Sequence, residues 1–452
     1  MWWVGPQQLA VLTLLGGPLA QGYDAVHKLE AARLYGNVGV YAYYFVDILV
    51  GRPSPQRASV IVDTGSAICA FPCAGCAHCG KHLDAAFDVS RSTTATWMAC
   101  GTKAYCSQCI AGRCSYSQSY TEGSAIKGSW FYDYVSLGDE FQQNPAVMAR
   151  LGCHSRETRL FYTQKANGIF GMAPGRTGRP TILEDLFRDR KHINTSLFAM
   201  CLADEGGLLT VGGYNTSLHS QEILWVPMAV RSYYAVELAQ VGLEGGDVVL
   251  RGGFGHTIVD SGTTYTYLPS ALYRKLAADV SSFCRKHRDC GGRPEGTTCW
   301  RVQSREASAL SGFPALRITF TSGGSILWRP RSYLYRKQEM GNTWCYGFQD
   351  NGAAHETVLG ATWMLHKDVV FDIGGGRLGL AEARCPDFVK RPPAPAGRGV
   401  RVQQKTPGVA DGRPGLFTAV LVLLVGSGLF VVVSNLRLAG QRAARQLRGE
   451  PE

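Results

Sequence analysis

The sequence predicts an all-β protein built from two related lobes, and three observations support this prediction. An apolar run ends twice in an acid, a hydroxyl residue and a glycine, at residues 62–66 and 259–263. A proline follows nine positions after each acid, and a later apolar segment ends in glycine at residues 167–171 and 357–360. From Tyr41 to Gly65 apolar and polar residues alternate, which is typical of strands. Because both halves carry the same pattern in the same order, we interpret the chain as a duplicated unit.

The chain begins with a segment typical of secretion. An apolar run extends from Leu9 to Leu15 and small residues follow up to Ala20, which predicts a cleaved signal peptide over residues 1–20. The alternative is a short membrane helix, but the run is too short to span a bilayer. Residues 21–33 are predicted to be a short pro-segment, residues 34–190 the N-terminal lobe and residues 191–386 the C-terminal lobe.

Four elements inside the lobes are predicted from local patterns. The alternation over residues 41–65 surrounds a turn with two prolines, which predicts a hairpin. Residues 115–134 are rich in serine, tyrosine and glycine, and we interpret them as a longer hairpin. Apolar residues recur at helical spacing after Pro269 and predict a helix within residues 268–284. Residues 371–380 are expected to form the last hairpin.

The cysteines indicate the redox compartment. The chain has 15 cysteines, and eight of them lie between Cys69 and Cys114. The two-residue gaps within this cluster are also typical of zinc sites. Behind a signal peptide, however, the cluster favours a disulfide framework formed in an oxidising lumen. Acceptor sequences for N-glycans at Asn194 and Asn215 agree with passage through that lumen.

The composition changes after the lobes. Residues 387–414 are rich in proline, glycine, arginine and valine without periodicity, which predicts a flexible stalk. Between Arg413 and Arg437 lie 23 residues without charge, enough at about 1.5 Å each to cross a hydrocarbon core of about 30 Å. We therefore predict a single membrane helix over residues 415–436 and a cytosolic tail over residues 437–452. Basic residues flank both ends of the helix, so its orientation depends on the signal peptide, which places the lobes in the lumen.

The formal net charge of +11 does not indicate nucleic-acid binding. From Arg384, close to the predicted end of the second lobe, the rest of the chain has 11 basic and 4 acidic residues, so +7 of the charge lies in this last segment. Arg442, Arg445 and Arg448 would lie near the cytosolic face of a membrane, where anionic lipid head groups are the expected partners.

Four stretches together resemble the pepsin-like aspartic proteases, and within that family they most resemble the membrane-anchored, plasmepsin V-like processing proteases. They are Leu34-Tyr35-Gly36 with residues 41–45, the cysteine-rich stretch after Phe71-Pro72-Cys73, the segment 119–124, and the hydrophobic segment near the C-terminus. The likeness extends from Leu34 to Cys385. It implies a bilobal pepsin-like fold with a cysteine-rich insert in the N-terminal lobe and a C-terminal transmembrane helix.

The resemblance implies that Asp63 and Asp260 are the catalytic pair. Two carboxyl groups held about 3 Å apart cannot both ionise, so they share one proton. One then accepts a proton from water while the other stabilises the oxyanion and protonates the leaving amine, and this chemistry requires no metal or other cofactor. A single Asp-Thr-Gly is also an ordinary strand-to-turn junction, so the prediction depends on the duplication. The resemblance implies supporting roles for the neighbours, whose alternative role is turn capping: Thr64 and Ser261 linking the lobes, Ser66 and Thr263 orienting the aspartates, and Gly65 and Gly262 completing the motifs.

The resemblance also implies which cysteines pair. Eight cysteines are expected to form four disulfides whose connectivity stays open: Cys73, Cys76, Cys79, Cys100, Cys106, Cys109, Cys114 and Cys153. The pairs expected in the second lobe are Cys201–Cys385, Cys284–Cys290 and Cys299–Cys345. Cys69 is left unpaired and is expected to be a small buried thiol of the core.

By the same resemblance, the hairpin over residues 115–134 is the flap that closes over substrate. Tyr120 takes the place of the flap tyrosine, which covers the catalytic water and excludes solvent; the alternative is a half-exposed strand tyrosine. Glu122 and Gln164 are expected to bind an arginine at the third substrate position upstream of the cut, with leucine immediately before the cut. A carboxylate suits a guanidinium because the two groups bond bidentately. The alternative for Glu122 is a solvated hairpin residue, and Thr121 stands where plasmepsin V-like proteases have a cysteine.

The sequence thus predicts a monomeric, membrane-anchored aspartic endopeptidase that processes secreted or exported polypeptides. It would be a type I protein of the secretory pathway, with the endoplasmic reticulum favoured and the Golgi next. One alternative is a catalytically inactive, peptide-binding relative, which the presence of both aspartates disfavours. A broad-specificity degradative protease is the other, and the predicted anchor and short pro-segment disfavour it.

Overall fold

The computed structural model describes residues 29–390, apart from 102–105, 107, 140–143, 176–180, 247–248 and 337–340. The chain divides into two units, Met1–Pro392 and Pro393–Glu452, and every described residue belongs to the first. The predicted signal peptide, membrane helix and cytosolic tail, with most of the pro-segment and the stalk, lie outside the described residues. Within the described ranges, no helix has the length and apolar character needed to cross a bilayer.

Strands dominate the described part of the chain, which confirms the all-β prediction. The strands are β1 Glu30–Asn37, β2 Tyr43–Val50, β3 Gln56–Asp63, β4 Cys69–Pro72, β5 Thr96–Trp97, β6 Gln108–Ile110, β7 Arg113–Ser119, β8 Ala125–Leu137, β9 Val147–Glu157, β10 Gly168–Gly171, β11 Leu197–Leu202, β12 Gly207–Val211, β13 Leu224–Pro227, β14 Ala229–Val230, β15 Tyr234–Val236, β16 Leu238–Leu243, β17 Val249–Arg251, β18 Thr257–Val259, β19 Thr266–Leu268, β20 Gly292–Glu295, β21 Cys299–Val302, β22 Leu316–Phe320, β23 Ser325–Trp328, β24 Leu334–Arg336, β25 Thr343–Tyr346, β26 Phe348–Asp350, β27 Thr357–Leu359, β28 Lys367–Asp372 and β29 Arg377–Glu382. The α-helices are α1 Leu160–Thr163, α2 Ile182–Arg188, α3 Ser270–Lys286, α4 Pro330–Tyr333 and α5 Ala361–Met364. Short 3-10 helices are Val89–Arg91, Thr216–Leu218, Arg288–Gly291 and Ala307–Leu310.

One large sheet connects the two halves of the described chain. It has 15 strands, in the order β13-β29-β28-β11-β12-β1-β2-β3-β10-β4-β9-β8-β7-β6, with β5 paired to β8 at the side. β1 pairs with β2 on one side and with β12 on the other, and β11 pairs with β28. Strands from the start, middle and end of the chain therefore share one sheet. Three smaller sheets of six, four and four strands complete the second half.

The hairpins and the helix predicted from local patterns are confirmed. β2 pairs antiparallel with β3, β7 with β8, and β28 with β29. α3 follows Pro269 and buries Leu272, Leu276 and Val280. These residues recur every four positions, so they share one face of the helix.

The duplicated sequence pattern corresponds to a duplicated local structure. β10 lies parallel to β3 and places Gly171 beside Asp63. β27 lies parallel to β18 and places Leu359 beside Val259. In each half, the apolar segment that ends in glycine therefore lies next to the strand that presents the acid.

Seven disulfides occur in the described ranges, which confirms the predicted oxidised framework. The first half contains Cys73–Cys153, Cys76–Cys79, Cys100–Cys109 and Cys106–Cys114, and the second contains Cys201–Cys385, Cys284–Cys290 and Cys299–Cys345. Because these cysteines bond one another, the alternative of a zinc site in the cysteine-rich insert is wrong for them. Cys69 is free and buried.

The first residues of the predicted stalk belong to the folded unit. Lys390 forms an ion pair with Asp47 of β2, and both side chains are buried. The ammonium group also lies 4.8 Å from the centre of the Tyr35 ring, and the Phe388 N–H donates to the Glu205 carbonyl at 2.7 Å. We call residues 387–390 the C-terminal strap. Its contacts extend the folded unit to Lys390, four residues beyond the predicted end of the lobe.

Candidate active site

The two acidic residues lie at the ends of matching strands. Asp63 ends β3, and Asp260 directly follows β18. Each carboxylate accepts from the backbone N–H two residues on and from the hydroxyl three residues on. The donors are Gly65 N–H at 2.8 Å and the Ser66 hydroxyl for Asp63, and Gly262 N–H at 2.9 Å and the Thr263 hydroxyl at 2.6 Å for Asp260.

A reciprocal set of hydrogen bonds joins the two loops. The Thr64 N–H donates to the Ser261 hydroxyl at 3.1 Å, and the Ser261 N–H donates to the Thr64 hydroxyl at 2.9 Å. Each hydroxyl then donates across to the opposite strand, to the carbonyls of Val259 and Val62 at 2.9 and 2.8 Å. Thr64 and Ser261 are 0% and 1% exposed, so water does not compete for these bonds. The two acids are thereby fixed relative to each other.

Each carboxylate lies against the glycine of the opposite loop. A Cβ atom added to Gly65 would lie 2.7 Å from both carboxylate oxygens of Asp260, and one added to Gly262 would collide with the Asp63 carboxylate. At either glycine, the added Cβ atom would lie closer to the opposite carboxylate than van der Waals contact allows. Glycine is therefore needed at both positions for the two acids to approach each other.

Burial and proximity alter the titration of this pair. Asp63 is only 6% exposed. Burial raises the pKa of Asp63, and the Asp260 carboxylate raises it further, against the hydrogen bonds from Ser66 and Gly65. The pair therefore retains a proton at pH values at which separate aspartates are ionised. A pair with one proton combines an acid and a base at one point, as general acid–base activation of water requires.

Tyr120 lies at the base of the turn that connects β7 to β8. The turn is closed by hydrogen bonds from the Tyr120 N–H to the Ser124 carbonyl and from the Gly123 N–H to the Tyr120 carbonyl, both at 2.9 Å. Gly123 has a φ of 90°, a conformation that favours glycine. The Tyr120 ring packs on Phe161 with a centroid distance of 4.9 Å.

The Tyr120 hydroxyl is enclosed near the acidic pair. Burial raises the pKa of Tyr120 well above its usual value, and the neighbouring Asp63 carboxylate adds to this effect while the Ser66 side chain opposes it. The hydroxyl makes no well-aligned hydrogen bond to any residue that the structure describes. It is therefore available to donate to a group that enters the cleft.

Glu122 lies within this turn, and Gln164 lies in the separate loop that follows α1. Glu122 is exposed, and its carboxylate accepts from the Ser124 hydroxyl. Gln164 follows α1 and is half-buried, and its side-chain amide donates to the Ala166 carbonyl at 3.2 Å. No hydrogen bond joins Glu122 to Gln164 in the described ranges. The sequence did not indicate Arg159, whose guanidinium donates to the Glu122 carbonyl at 3.5 Å.

A cavity of about 310 Å³ opens beside the first acidic loop. Its lining includes Tyr116, Trp130, Arg150, Pro174 and Tyr233, together with residues 65–68 that follow Asp63. The guanidinium of Arg150 stacks over the Trp130 ring at 4.5 Å. Sequence reasoning missed these five residues because they come from separate strands and loops and share no local motif.

The two predicted glycosylation sites differ in exposure. Asn194 is exposed. Asn215 is 9% exposed, and its side-chain oxygen accepts from the N–H and the hydroxyl of Ser217 at 3.0 and 2.7 Å.

Comparisons with known proteins relate most of this chain to aspartic proteases. The family described as eukaryotic aspartyl protease matches residues 43–383. Aspartic protease 5 of Toxoplasma gondii is 36% identical over 442 residues, which cover 84% of this chain and 40% of that protein. Plasmepsin V of Plasmodium falciparum is 26% identical over 453 residues, covering 80% of this chain and 74% of that protein. Aspartic proteinase 36 of Arabidopsis thaliana is 27% identical over 379 residues, covering 77% and 75%. The chain thus spans less than half of the Toxoplasma relative.

Proposed function

Because the chain belongs to the eukaryotic aspartyl protease family, we propose that it is an aspartic endopeptidase in which Asp63 and Asp260 activate water. The observation that carries this proposal is the reciprocal bonding of the two loops through Thr64 and Ser261. It holds two carboxylates against each other in a buried site. Peptide binding alone does not need such an arrangement, whereas acid–base chemistry on a water molecule does.

In this mechanism a water molecule lies between the two carboxyl groups. The ionised carboxylate takes a proton from the water as the water oxygen attacks the scissile carbonyl carbon. The protonated carboxyl donates its proton to the carbonyl oxygen, which gives a diol. As the C–N bond breaks, the carboxyl that took the water proton gives it to the amine nitrogen, and the other carboxylate takes a proton from a diol hydroxyl, which restores one proton on the pair. Because burial and the neighbouring carboxylate raise the pKa of Asp63, the pair holds one shared proton at rest, with one carboxyl group as the acid and the other as the base.

Tyr120 closes the site over the substrate. Its enclosed hydroxyl near Asp63 is positioned to donate to the substrate or to the catalytic water, and its ring shields the pair from solvent. Ser66 and Thr263 orient the carboxylates, since each donates to the aspartate of its own loop. Substitutions at these positions should therefore affect turnover more than folding.

Glu122 and Gln164 select an arginine at the third substrate position upstream of the cut, with leucine immediately before the cut. Two features support this part of the proposal. Glu122 is exposed at the turn, so its carboxylate can reach a substrate, and Gln164 presents an amide from the neighbouring loop. A guanidinium bonds a carboxylate bidentately, which an ammonium group cannot do. The specificity therefore requires arginine rather than any cation.

The setting we propose is the secretory pathway, with the catalytic lobes in the lumen and a C-terminal membrane anchor. Seven disulfides support an oxidising compartment. The anchor rests on the uncharged stretch between Arg413 and Arg437. The endoplasmic reticulum is the favoured organelle, and the substrates are secreted or exported polypeptides.

The proposal is tested by profiling cleavage of a peptide library with Asp63→Asn and Asp260→Asn. Each substitution keeps the side-chain volume but removes the shared proton, so turnover should fall at least about 10³-fold. Asp279→Asn is the matched control, because Asp279 pairs with the half-exposed Lys275 on α3, away from the acidic loops. Turnover retained by either dyad variant with an unchanged melting temperature would show that the pair is not catalytic. The cleaved library members also report whether arginine is required upstream of the cut.

A further inference from the structure

A buried cluster of three ionisable side chains lies outside the acidic pair. Glu157, at the end of β9, accepts hydrogen bonds from His154 Nδ1 at 2.9 Å, His82 Nε2 at 3.0 Å and the Gly80 N–H at 3.0 Å. The side chains of Glu157, His154 and His82 are 0%, 0% and 4% exposed. The cluster connects the cysteine-rich insert, just after the disulfide loop 76–79, to the large sheet.

His82 faces a hydrogen-bond acceptor at each ring nitrogen. Its Nε2 contacts the carboxylate of Glu157, and its Nδ1 lies 3.1 Å from the backbone carbonyl oxygen of Gln164. A carbonyl oxygen and an ionised carboxylate can only accept. Both ring nitrogens must therefore carry a hydrogen, so this geometry requires the imidazolium form of His82.

The other ionisable groups around the ring agree with this protonation state. Burial alone would raise the pKa of Glu157, but the hydrogen bonds from His154, His82 and Gly80 outweigh it and lower the pKa to about 2. Burial lowers the pKa of His154, and its Nε2 makes no hydrogen bond in the described ranges, as in a neutral ring. His78, on the same side of the insert, directs its Nδ1 to the Glu157 carbonyl. The buried charge of Glu157 is therefore balanced by His82.

His82 provides one of the attachments that hold residues 164–166, which we call the Gln164 segment. The Gln164 N–H itself donates to the Leu160 carbonyl of α1 at 2.8 Å. The Tyr43 hydroxyl accepts from two backbone N–H groups of the segment, at 2.9 and 3.1 Å. The Leu83 N–H donates to a backbone carbonyl of the segment at 2.8 Å. The attachment from His82 is the one that links the Gln164 carbonyl directly to the buried Glu157 carboxylate.

We propose that His82 is a positioning residue whose imidazolium form orients Gln164 toward the arginine of the substrate. This inference rests on the specificity proposed above. The two N–H groups of the imidazolium hold the Gln164 carbonyl and the Glu157 carboxylate on opposite sides of one rigid ring. Removing the ring removes this attachment of Gln164. The insert thereby contributes to the selection of arginine.

The test compares His82→Gln with His78→Gln in the full chain. His78 lies four residues before His82 in the same insert. Its Nδ1 lies 2.9 Å from the Glu157 carbonyl oxygen, and its ring centre lies 4.7 Å from that of Tyr162. It has no hydrogen bond to Gln164 in the described ranges. It therefore controls for general damage to the insert. Hydrogen–deuterium exchange of peptides that contain the Gln164 segment is measured at pH 5.5, corrected for intrinsic exchange rates. The second readout is the ratio of kcat/KM for matched substrates with arginine or alanine three positions upstream of the cut.

We expect His82→Gln to accelerate exchange of the Gln164 segment at pH 5.5 and to lower the arginine-to-alanine ratio about tenfold, the value of one hydrogen bond to a charged group. His78→Gln should leave both readouts near those of the wild type. The ratio cancels effects on the acidic pair.

If His82→Gln keeps the wild-type arginine-to-alanine ratio and the wild-type exchange rate of the Gln164 segment, the role of His82 is overturned. The proposed specificity for arginine is then unaffected. A wild-type enzyme that cleaves both substrates equally overturns the specificity, and with it the purpose assigned to His82. Faster exchange with an unchanged ratio also contradicts the inference, because the segment would then move without affecting arginine.

Discussion

Replacing Lys390 with methionine is expected to destabilise the folded unit by about 3–5 kcal/mol at pH 7.5, the cost of removing one partner from a buried ion pair. The side chains of Lys390 and Asp47 are 9% and 2% exposed, so the substitution leaves a carboxylate buried without its cation. The Ser59 hydroxyl oxygen lies 2.8 Å from an Asp47 oxygen and 2.6 Å from an Asp84 oxygen, so its one hydrogen serves two carboxylates and does not balance the charge of Asp47. The methionine side chain keeps most of the length of the lysine side chain, so the loss of stability measures mainly the removal of the charge.

The loss should be smaller at pH 5, because Asp47 can then take up a proton. Burial raises the pKa of Asp47, while Lys390 and the hydrogen bond from Ser59 act in the opposite direction. Without Lys390 the folded-state pKa rises further above the unfolded value of about 3.9. A raised carboxyl pKa favours the folded state at low pH, and that advantage is lost as the pH rises through the unfolded and then the folded value. The difference from the wild type should therefore grow from about 1 kcal/mol at pH 5 to the full value at pH 7.5, since each pH unit contributes up to about 1.4 kcal/mol.

Urea unfolding of the full chain, followed by tryptophan fluorescence at both pH values, measures this difference. Lys275→Met is the matched control, because Lys275 pairs with Asp279 on α3 and its side chain is 44% exposed. An exposed pair of this kind should contribute no more than about 0.5 kcal/mol. The reasoning is refuted if Lys390→Met destabilises no more than Lys275→Met, or if its effect is the same at pH 5 and pH 7.5.

Three further predictions concern the site and the strap. Glu122→Ala should remove most of the preference for arginine upstream of the cut, measured as kcat/KM for arginine, lysine and alanine substrates; equal cleavage of all three by the wild type would contradict the proposed pocket. The rate should follow a bell-shaped profile, because turnover needs one proton on the pair; burial and the neighbouring carboxylate raise the pKa of Asp63, so activity should persist above the pH at which a separate aspartate ionises and should fall when the shared proton is lost. Activity that rises steadily to pH 9 would exclude the mechanism. A chain that ends after Pro392 should match the full chain in thermal stability and activity, whereas one that ends after Cys385 lacks Lys390 and should melt at a lower temperature; equal melting temperatures would show that the strap does not stabilise the fold.

The elements that the sequence predicted well are those with local signals. The β2–β3 hairpin and the β7–β8 hairpin follow from alternation and turn residues that lie within a few positions of one another. α3 follows from apolar residues on one helical face after Pro269. The acidic pair was predicted because the motif occurs twice, and the resemblance to pepsin-like proteases assigned it a chemistry. Repetition and local periodicity are visible without knowing which segments meet in space.

Contacts between distant segments were beyond the sequence. The connectivity Cys73–Cys153 requires that β4 and β9 lie side by side, and no spacing rule predicts that pairing. The Lys390–Asp47 pair joins residues 343 positions apart, so composition alone assigned Lys390 to a flexible stalk. In the sequence, nothing distinguishes His82 from other polar residues of the insert. Only the fold shows that its ring lies between the Glu157 carboxylate and the Gln164 carbonyl.

The sequence by itself therefore determined the all-β class, the two acidic loops, their supporting hydroxyls and the set of cysteines available for pairing. The tertiary structure alone decided how those cysteines join, where the folded unit ends and which buried charges depend on each other. The physical reason is that strand alternation and turn preference act over a few residues. Burial and electrostatic pairing instead depend on distances in space, which only the packed sheets establish.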